Sequence, residues 1–527
     1  MNTTALSSSS IHNLSDRTLL HIFSFVPETE LYPSLFVNSR WNRVILNPEF
    51  LAQRKSLSKK ISKLFTYMCS CNLDFPAMRP QLEANAILYM TSIELGCLTN
   101  KHFSVRPWHI LDHLKELRIY NGLFTNKDIK DLPQNLEVFS IFGDRKFTGL
   151  NFVDYPRNLK VIRLNKISES RAVVNLTGLP PTLTELFIGY NHKLDLESLR
   201  NLPQTLQKYT FWNQYKMKDK NLNDLPLSLR ELNIRHSSSL KIPIFSPFTD
   251  LRRLALEDCR NIQDEFIKHL PTSLRELDLN GLKSLTDRAI FYSDKLRHLE
   301  VLKLSDLHIK GTQLAFLPYS IRELSLSHLS GFNPKNLSTL HNNNSITSLN
   351  LYLLHGSSEL PLDTLPTTLR KLEIHHSFSG RHLHQLANYA NLEKLNIFNI
   401  SNFSSDVVNQ LPDSLKELHF ELGGEKLSKA ELKGLKRLNR LTKLSTLDLT
   451  ICEMNLNPRL ICALPDTIRY LILAYGGKTN LKEKHVAHFP PHLLQINLPL
   501  KYKSTLKLIL PELYQRFPHL KVKGRTN

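Results

Sequence analysis

The sequence predicts an α/β solenoid, with a curved parallel sheet on its concave side and short helices or turns on its convex side. Three observations carry that reading. A unit Pro-x-x-Leu-x-x-Leu-x-Leu recurs, as at Pro271, Leu274, Leu277 and Leu279, and again at Pro318, Ile321, Leu324 and Leu326. With the Pro slot as origin, units begin at 111, 133, 156, 180, 203, 226, 248, 271, 296, 318, 343, 366, 389, 412, 441, 465 and 490, a mean period of about 24 residues. Self-similarity at such a period decides architecture ahead of local propensity. Finally, 527 residues are many for one compact core, whereas stacked units need to pack only on their neighbours.

Each part of the unit has a physical role. The three Leu/Ile slots fall at strand spacing and point inward, and the residues between them point onto the concave face. A segment such as Asp264–Leu270 makes the convex return, and Pro271 then ends it and sets the chain extended. From 226 onward Pro fills the slot at 226, 271, 318, 366, 412 and 465 and is absent at 248, 296, 343, 389 and 441, so the building block reads as a pair of units. The pattern resembles the leucine-rich repeat. About 17 strands at about 4.8 Å spacing imply an arc on the order of 80 Å, the scale of a protein ligand. Asn191, Cys259 and Cys452 occupy the slot that many such repeats fill with Asn or Cys, and are expected to be packing or ladder residues.

Composition narrows the function. No run of apolar residues is long enough for a membrane span, and the N-terminus lacks the basic and apolar regions of a secretion signal. Six scattered cysteines fit a reducing compartment, and Cys69 and Cys71 lack the second pair that a zinc site needs. The net charge of +20 raises nucleic acid or an acidic protein as partners. Outward strand positions carry eight basic and eleven acidic residues, which is no phosphate track, so nucleic acid is not expected. Basic residues instead recur at strand entry, at Arg230, Arg252, Arg275, Arg322, Arg370, Lys416 and Arg469, and are expected to pair with glutamates or form a docking rail. Tyr120, Phe142, Phe187, Trp212, Tyr352 and Phe398 fall in outward slots and are the candidate substrate-binding residues, with Phe142, Phe187 and Trp212 expected to share one patch.

Ahead of the repeats, Leu19, Ile22, Phe23 and Val26 make one apolar helical face that Ser15 or Asp16 can cap and Pro27 ends. A second short helix carries Leu31 and Leu35, and a third carries Trp41, Val44 and Ile45. Three such helices bury little alone and need a partner surface. This stretch resembles the F-box, matching in order at Leu14, Leu19-Leu20, Ile22-Phe23, Val26, Leu31, Leu35, Val37, Arg40-Trp41 and Val44-Ile45. It departs where Ser15 replaces the family's Pro and Asn38 its Cys.

The resemblance implies a small all-helical F-box that docks on the Skp-type adaptor of an SCF (cullin-RING) ubiquitin ligase. Leu14, Leu20, Ile22, Phe23, Val26, Pro27, Leu31, Leu35 and Trp41 would make the adaptor contact, and the repeats would capture a protein substrate. The expected organisation is a disordered start (1–9), the F-box (10–50), linker helices (51–105), the solenoid (106–498) and a C-terminal cap (499–527). The alternative is a recognition or scaffold protein whose N-terminal helices only cap the solenoid. Neither reading assigns catalytic residues, a metal or a cofactor to the chain. Both place it in the cytoplasm or nucleus of a eukaryotic cell, as a native protein or as a delivered microbial effector.

Overall fold

The repeat phase dictates the architecture seen in a computed structural model. The structure describes residues 92–96, 114–120, 124, 126–143, 147, 151–165, 173–189, 193–212, 215–352, 360–401, 405–422, 429–451, 458–475, 482–499 and 503–525. The F-box positions and Cys69, Cys71, Asn191 and Cys452 lie outside the described residues. The chain divides into two units, Met1–Ser239 and Leu240–Asn527.

In the first unit, β1 (Ser92–Gly96), β2 (Glu116–Tyr120), β3 (Val138–Phe142), β4 (Val161–Asn165), β6 (Glu185–Ile188), β8 (Lys208–Trp212) and β9 (Glu231–Arg235) form a parallel sheet in chain order. Two short strands, β5 (Val173–Val174) and β7 (Lys193–Leu194), pair apart from it. Strand β1 corrects the expectation of helices throughout 51–105. Its Ile93 sits in register with Leu117, so among the described residues the sheet extends at least one strand ahead of the recognisable repeat.

The second unit continues the pattern in β10 (Arg253–Glu257), β11 (Glu276–Asn280), β12 (Val301–Ser305), β13 (Glu323–Ser327), β14 (Ser348–Tyr352), β15 (Lys371–Ser379), β16 (Lys394–Ser401), β17 (Glu417–Leu422), β18 (Thr446–Ile451), β19 (Tyr470–Tyr475), β20 (Gln495–Pro499) and β21 (Lys521–Arg525). Like slots pair with like: Leu254, Leu277, Leu302, Leu324 and Leu349 form one line across the sheet, and all are buried. Each such leucine removes apolar surface worth about 1.5–3 kcal/mol, a gain available only once a neighbouring unit covers it. The C-terminal segment is more than a cap. A helix, Lys503–Arg516, starts well before Pro511 and leads into β21, which pairs with β20.

The return segments are mostly single 3₁₀ turns, such as Leu196–Asn201, Asp219–Asp224, Asp264–His269 and Glu483–His488. Their exit explains the proline rhythm. In proline units the N–H before the proline closes the turn, as Leu270 donates to Ile267 O (3.2 Å), and the proline carbonyl then accepts from the first leucine, Leu274 N–H to Pro271 O (3.3 Å). In the intervening units the slot residue itself donates: Leu296 to Ser293 O (3.0 Å), Asn343 to Leu340 O (2.8 Å) and Tyr389 to Leu386 O (3.1 Å). Proline has no N–H to give, so it is excluded from slots whose residue closes the turn; where the residue before the slot closes it, proline recurs even in consecutive units, as at 133, 156, 180, 203 and 226.

A second linkage had no place in the sequence reading. The residue before the first leucine is often Ser or Thr, and its hydroxyl donates to the matching carbonyl of the preceding unit. Thr182 reaches Leu159 O, Thr205 Leu183 O, Ser228 Leu206 O and Ser273 Leu251 O, each at 2.8 Å. Ser320, Thr368 and Ser414 repeat the bond at 2.7 Å.

The slot chemistry predicts an asymmetry. Asn343→Pro removes the donor to Leu340 O and is expected to cost about 2–3 kcal/mol. Pro318→Ala, which removes no hydrogen bond, is expected to cost less than about 1 kcal/mol. Urea denaturation of the two variants checks the order.

Candidate ring surfaces on the open sheet face

Alternate strand residues that do not enter the core form an open face on each unit. In the first unit, Tyr120 and Phe142 are register partners at the ends of β2 and β3, and their rings stack at 5.0 Å and 9°. Phe187 lies one outward slot earlier on β6 and meets Trp212 of β8 diagonally, edge to face at 5.5 Å. The Arg235 guanidinium caps Trp212, 4.7 Å from the ring centroid. Phe187 also packs against the backbone: a Cβ at Gly189 would stand 2.9 Å from its ring and 2.6 Å from Asn165 Oδ1. Of Phe142, Phe187 and Trp212, then, the last two meet, while Phe142 stacks on Tyr120. Register is the reason, since Phe142 lies opposite Asn165 and Phe187 opposite Arg163. All four rings are half-buried.

The second unit holds a longer array. His328, Tyr352, His375, Phe398 and His419 follow one another with ring centroids 4.8, 4.9, 3.7 and 4.5 Å apart, and His375 stacks on Phe398 at 16°. Tyr352 and Phe398 were legible as outward aromatics; the three histidines between and around them were not. Local structure places each one. His328 follows β13 in a left-handed conformation (φ 51°), which lets its N–H reach Tyr352 O (2.9 Å) and brings its ring to Tyr352. Asp258, Gly281 and Asp306 hold the same position in earlier units, with positive φ and the same bond to the next strand. Asp and His tolerate that region better than most side chains. His375 and Phe398 are register partners, and the ladder breaks directly after them, between His375 and Phe378 and between Ile397 and Ile400. Such bulges re-aim neighbouring side chains. His419 is opposite Asp448, and its Nδ1 lies 2.9 Å from Asp448 Oδ2.

Beside this array sits the Glu373 carboxylate. It accepts from Asn350 Nδ2 (3.1 Å) and Asn396 Nδ2 (2.7 Å), and Lys371 Nζ is 3.1 Å away. His375, with Nε2 at 3.9 Å, and Lys371 together outweigh burial and hold the Glu373 carboxyl at about 2. Several other outward charges are also paired: Arg163 with Glu185 (2.7 Å), Lys208 with Glu231 (2.9 Å), Glu276 with both Arg253 (2.7 Å) and Lys303 (2.8 Å), and Lys394 with Glu417 (2.8 Å). Much of the mixed sign read from the sequence is thus taken up in ion pairs within and across strands, with the rings as an apolar part of the face. Cys259 is buried, as its slot implies, and its thiol faces Glu257 O at 3.6 Å. Among the described residues, no helix is long and apolar enough to cross a membrane.

Compared with solved structures, the chain is similar to CroV588, described as a circular leucine-rich-repeat protein, with 17% identity and a TM-score of 0.44 over 84% of this chain and 70% of that one. It is also similar to an internalin, InlF, from Listeria monocytogenes, with 17% identity and a TM-score of 0.33 over 74% of this chain and 87% of that one. No protein-family model matches the sequence, and no curated protein matches it. The chain folds as a leucine-rich-repeat solenoid.

Glu373 makes a pH signature. Its folded pKa, about 2, is below the ordinary 4.5, so its stabilisation is complete above about pH 4.5 and is lost as pH falls toward 2. Urea midpoints of Glu373→Gln are expected to lie below the parent's at pH 7 and to converge with it between pH 4.5 and 2.

Proposed function

We propose that this chain recognises a protein partner through the ring array His328–Tyr352–His375–Phe398–His419, and that it does so as the substrate-receptor subunit of an SCF-type ubiquitin ligase. The first part rests on one observation. Five consecutive rings line the open face of a sheet on which many of the charges are internally paired, and Tyr352 is 36% exposed. Half-buried aromatic side chains held rigid by their neighbours are the usual anchors of protein interfaces. The array has no nucleophile with an activating base, so the reading is of a binding subunit without chemistry of its own.

The ligase role is supported by the F-box resemblance of residues 10–50. In that reading Leu14, Leu20, Ile22, Phe23, Val26, Pro27, Leu31, Leu35 and Trp41 bury against a Skp-type adaptor, which links the chain to a cullin-RING ligase. The repeats hold the substrate while the ubiquitin-transfer chemistry resides in the other subunits.

Two experiments separate the parts of this reading. Leu20→Ala with Phe23→Ala removes apolar burial worth several kcal/mol, and adaptor co-purification is expected to collapse with the repeat domain still folded. Undiminished adaptor capture by that variant rejects the F-box assignment and leaves a recognition protein. Tyr352→Ala with Phe398→Ala is expected to abolish partner capture in a cross-linked pull-down, at a cost on the order of 2 kcal/mol or more per anchor, with adaptor binding intact. Retained capture would move the partner surface to the Tyr120–Phe142 and Phe187–Trp212 pairs.

A further inference from the structure

The strand-entry edge of the second unit carries a regular row of cations that the ring surface does not use. Arg275, Arg322, Arg370, Lys416 and Arg469 each directly follow the first Leu or Ile of a proline unit, and all are exposed. They enter β11, β13, β15, β17 and β19, so from β11 to β19 one cation recurs on every second strand. At about 4.8 Å per strand the cations repeat at about 9.6 Å.

Between β11 and β19 the intervening units place Glu300, Thr347, Glu393 and Ser445 at this slot; ahead of that stretch, Arg252 adds a cation where the chain enters β10. Glu300 pairs with Arg275 (2.5 Å), and Glu393 is shared by Arg370 (3.6 Å) and Lys416 (3.1 Å). Two carboxylates therefore serve three of five cations, through exposed pairs of the kind that contribute little and exchange readily. Arg322 and Arg469 have no carboxylate partner among the described residues. Each has an exposed tyrosine close in the chain: Tyr319, 71% exposed, in the turn that leads to Arg322, and Tyr470, 42% exposed, next to Arg469.

We propose that this edge binds an extended, proline-rich acidic segment of a partner protein, with a carboxylate at every third residue. A polyproline II chain has three residues per turn and rises about 3.1 Å per residue, so every third side chain shares a face at about 9.3 Å, close to the cation pitch. A β-strand repeats a face at about 6.7 Å and misses alternate cations. A helix with acids seven apart spans about 10.5 Å and comes near the pitch. The exposed tyrosines decide for the proline-rich form, because aromatic side chains are what proline rings dock on. The edge is a separate surface from the ring array, and the inference stands whichever complex the chain serves.

Fluorescence anisotropy on the full-length chain tests it with a labelled peptide of about five Glu-Pro-Pro repeats. The control has the same composition with its glutamates in one block. The spaced peptide is expected to bind at least about fivefold more tightly than the blocked one, and more weakly as salt is raised. Arg322→Gln with Arg469→Gln is expected to lower its affinity about fivefold to tenfold, two exposed charge pairs being lost. Arg322→Lys with Arg469→Lys, which keeps both charges, is expected to retain most of it. Equal binding of spaced and blocked peptides would show only general attraction to a chain of net charge +20 and overturn the proposal. An unaffected double Gln variant would overturn the site. Tighter binding of a helical peptide with glutamates seven apart, or of a phosphopeptide where the carboxylate peptide fails, would overturn the partner class.

Discussion

No single repeat of this chain can bury its own leucines, and that constraint organises everything else. Leu254, Leu277 and Leu302 are covered only because the strands that carry them are in identical phase, so a slip of one residue would turn the whole line to solvent. The molecule holds phase with two bonds at each step and, in many units, a third. Strand pairing is one, the turn closed on the proline or slot carbonyl is the second, and the Ser/Thr hydroxyl to the previous unit's carbonyl is the third. All three bear on the few residues around the first leucine. The return segments can therefore vary, from 3₁₀ turns to the helix Lys429–Arg437, without disturbing the sheet. Arg440, just beyond that helix, shows how such an insertion is tied in: its Nε and Nη2 donate to Val408 O at 3.1 and 2.9 Å.

Phase-locking has a functional consequence. When every unit enters the sheet at the same slot, whatever residue occupies a given outward slot becomes a column. Tyr352, His375 and Phe398 form such a column, which His328, one residue past the end of β13, and His419, one outward slot earlier on β17, join from neighbouring positions. The cation row is another, at strand entry, and its two-strand pitch is inherited from the alternation of proline and N–H-donating turns. A repeat evolving in pairs thus writes a spatial period of two strands onto its surface. Many of the charges between these columns pair across strands, which ties neighbouring strands together on the open face.

Glu373 illustrates the balance on that face. A carboxylate half-buried beside aromatic rings would ordinarily be pushed toward its neutral form. Here two asparagine amides, Lys371 and His375 converge on it and keep it ionised. The same side chains hold β14, β15 and β16 together on their outer face, at the strands that present Tyr352, His375 and Phe398. The candidate ring surface and its structural support are therefore interleaved along the same strands.

The sequence by itself determined the repeat, its phase, the inward leucines and the outward aromatics, because strand periodicity and a fixed unit length leave little freedom once units stack. It also named the cation slot and the proline alternation, although the donor role of residues such as Leu296 and Asn343 became visible only with the backbone in place. Tertiary structure alone decided which rings meet. Phe187 finds Trp212 and not Phe142 because contact runs along register and diagonals, and a period read from one chain carries no cross-strand distances. His328, His375 and His419 were missed because histidine in an outward slot has no sequence signature. A left-handed strand end, a bulge and an aspartate on the next strand bring each ring into line, and all three depend on how neighbouring units pair.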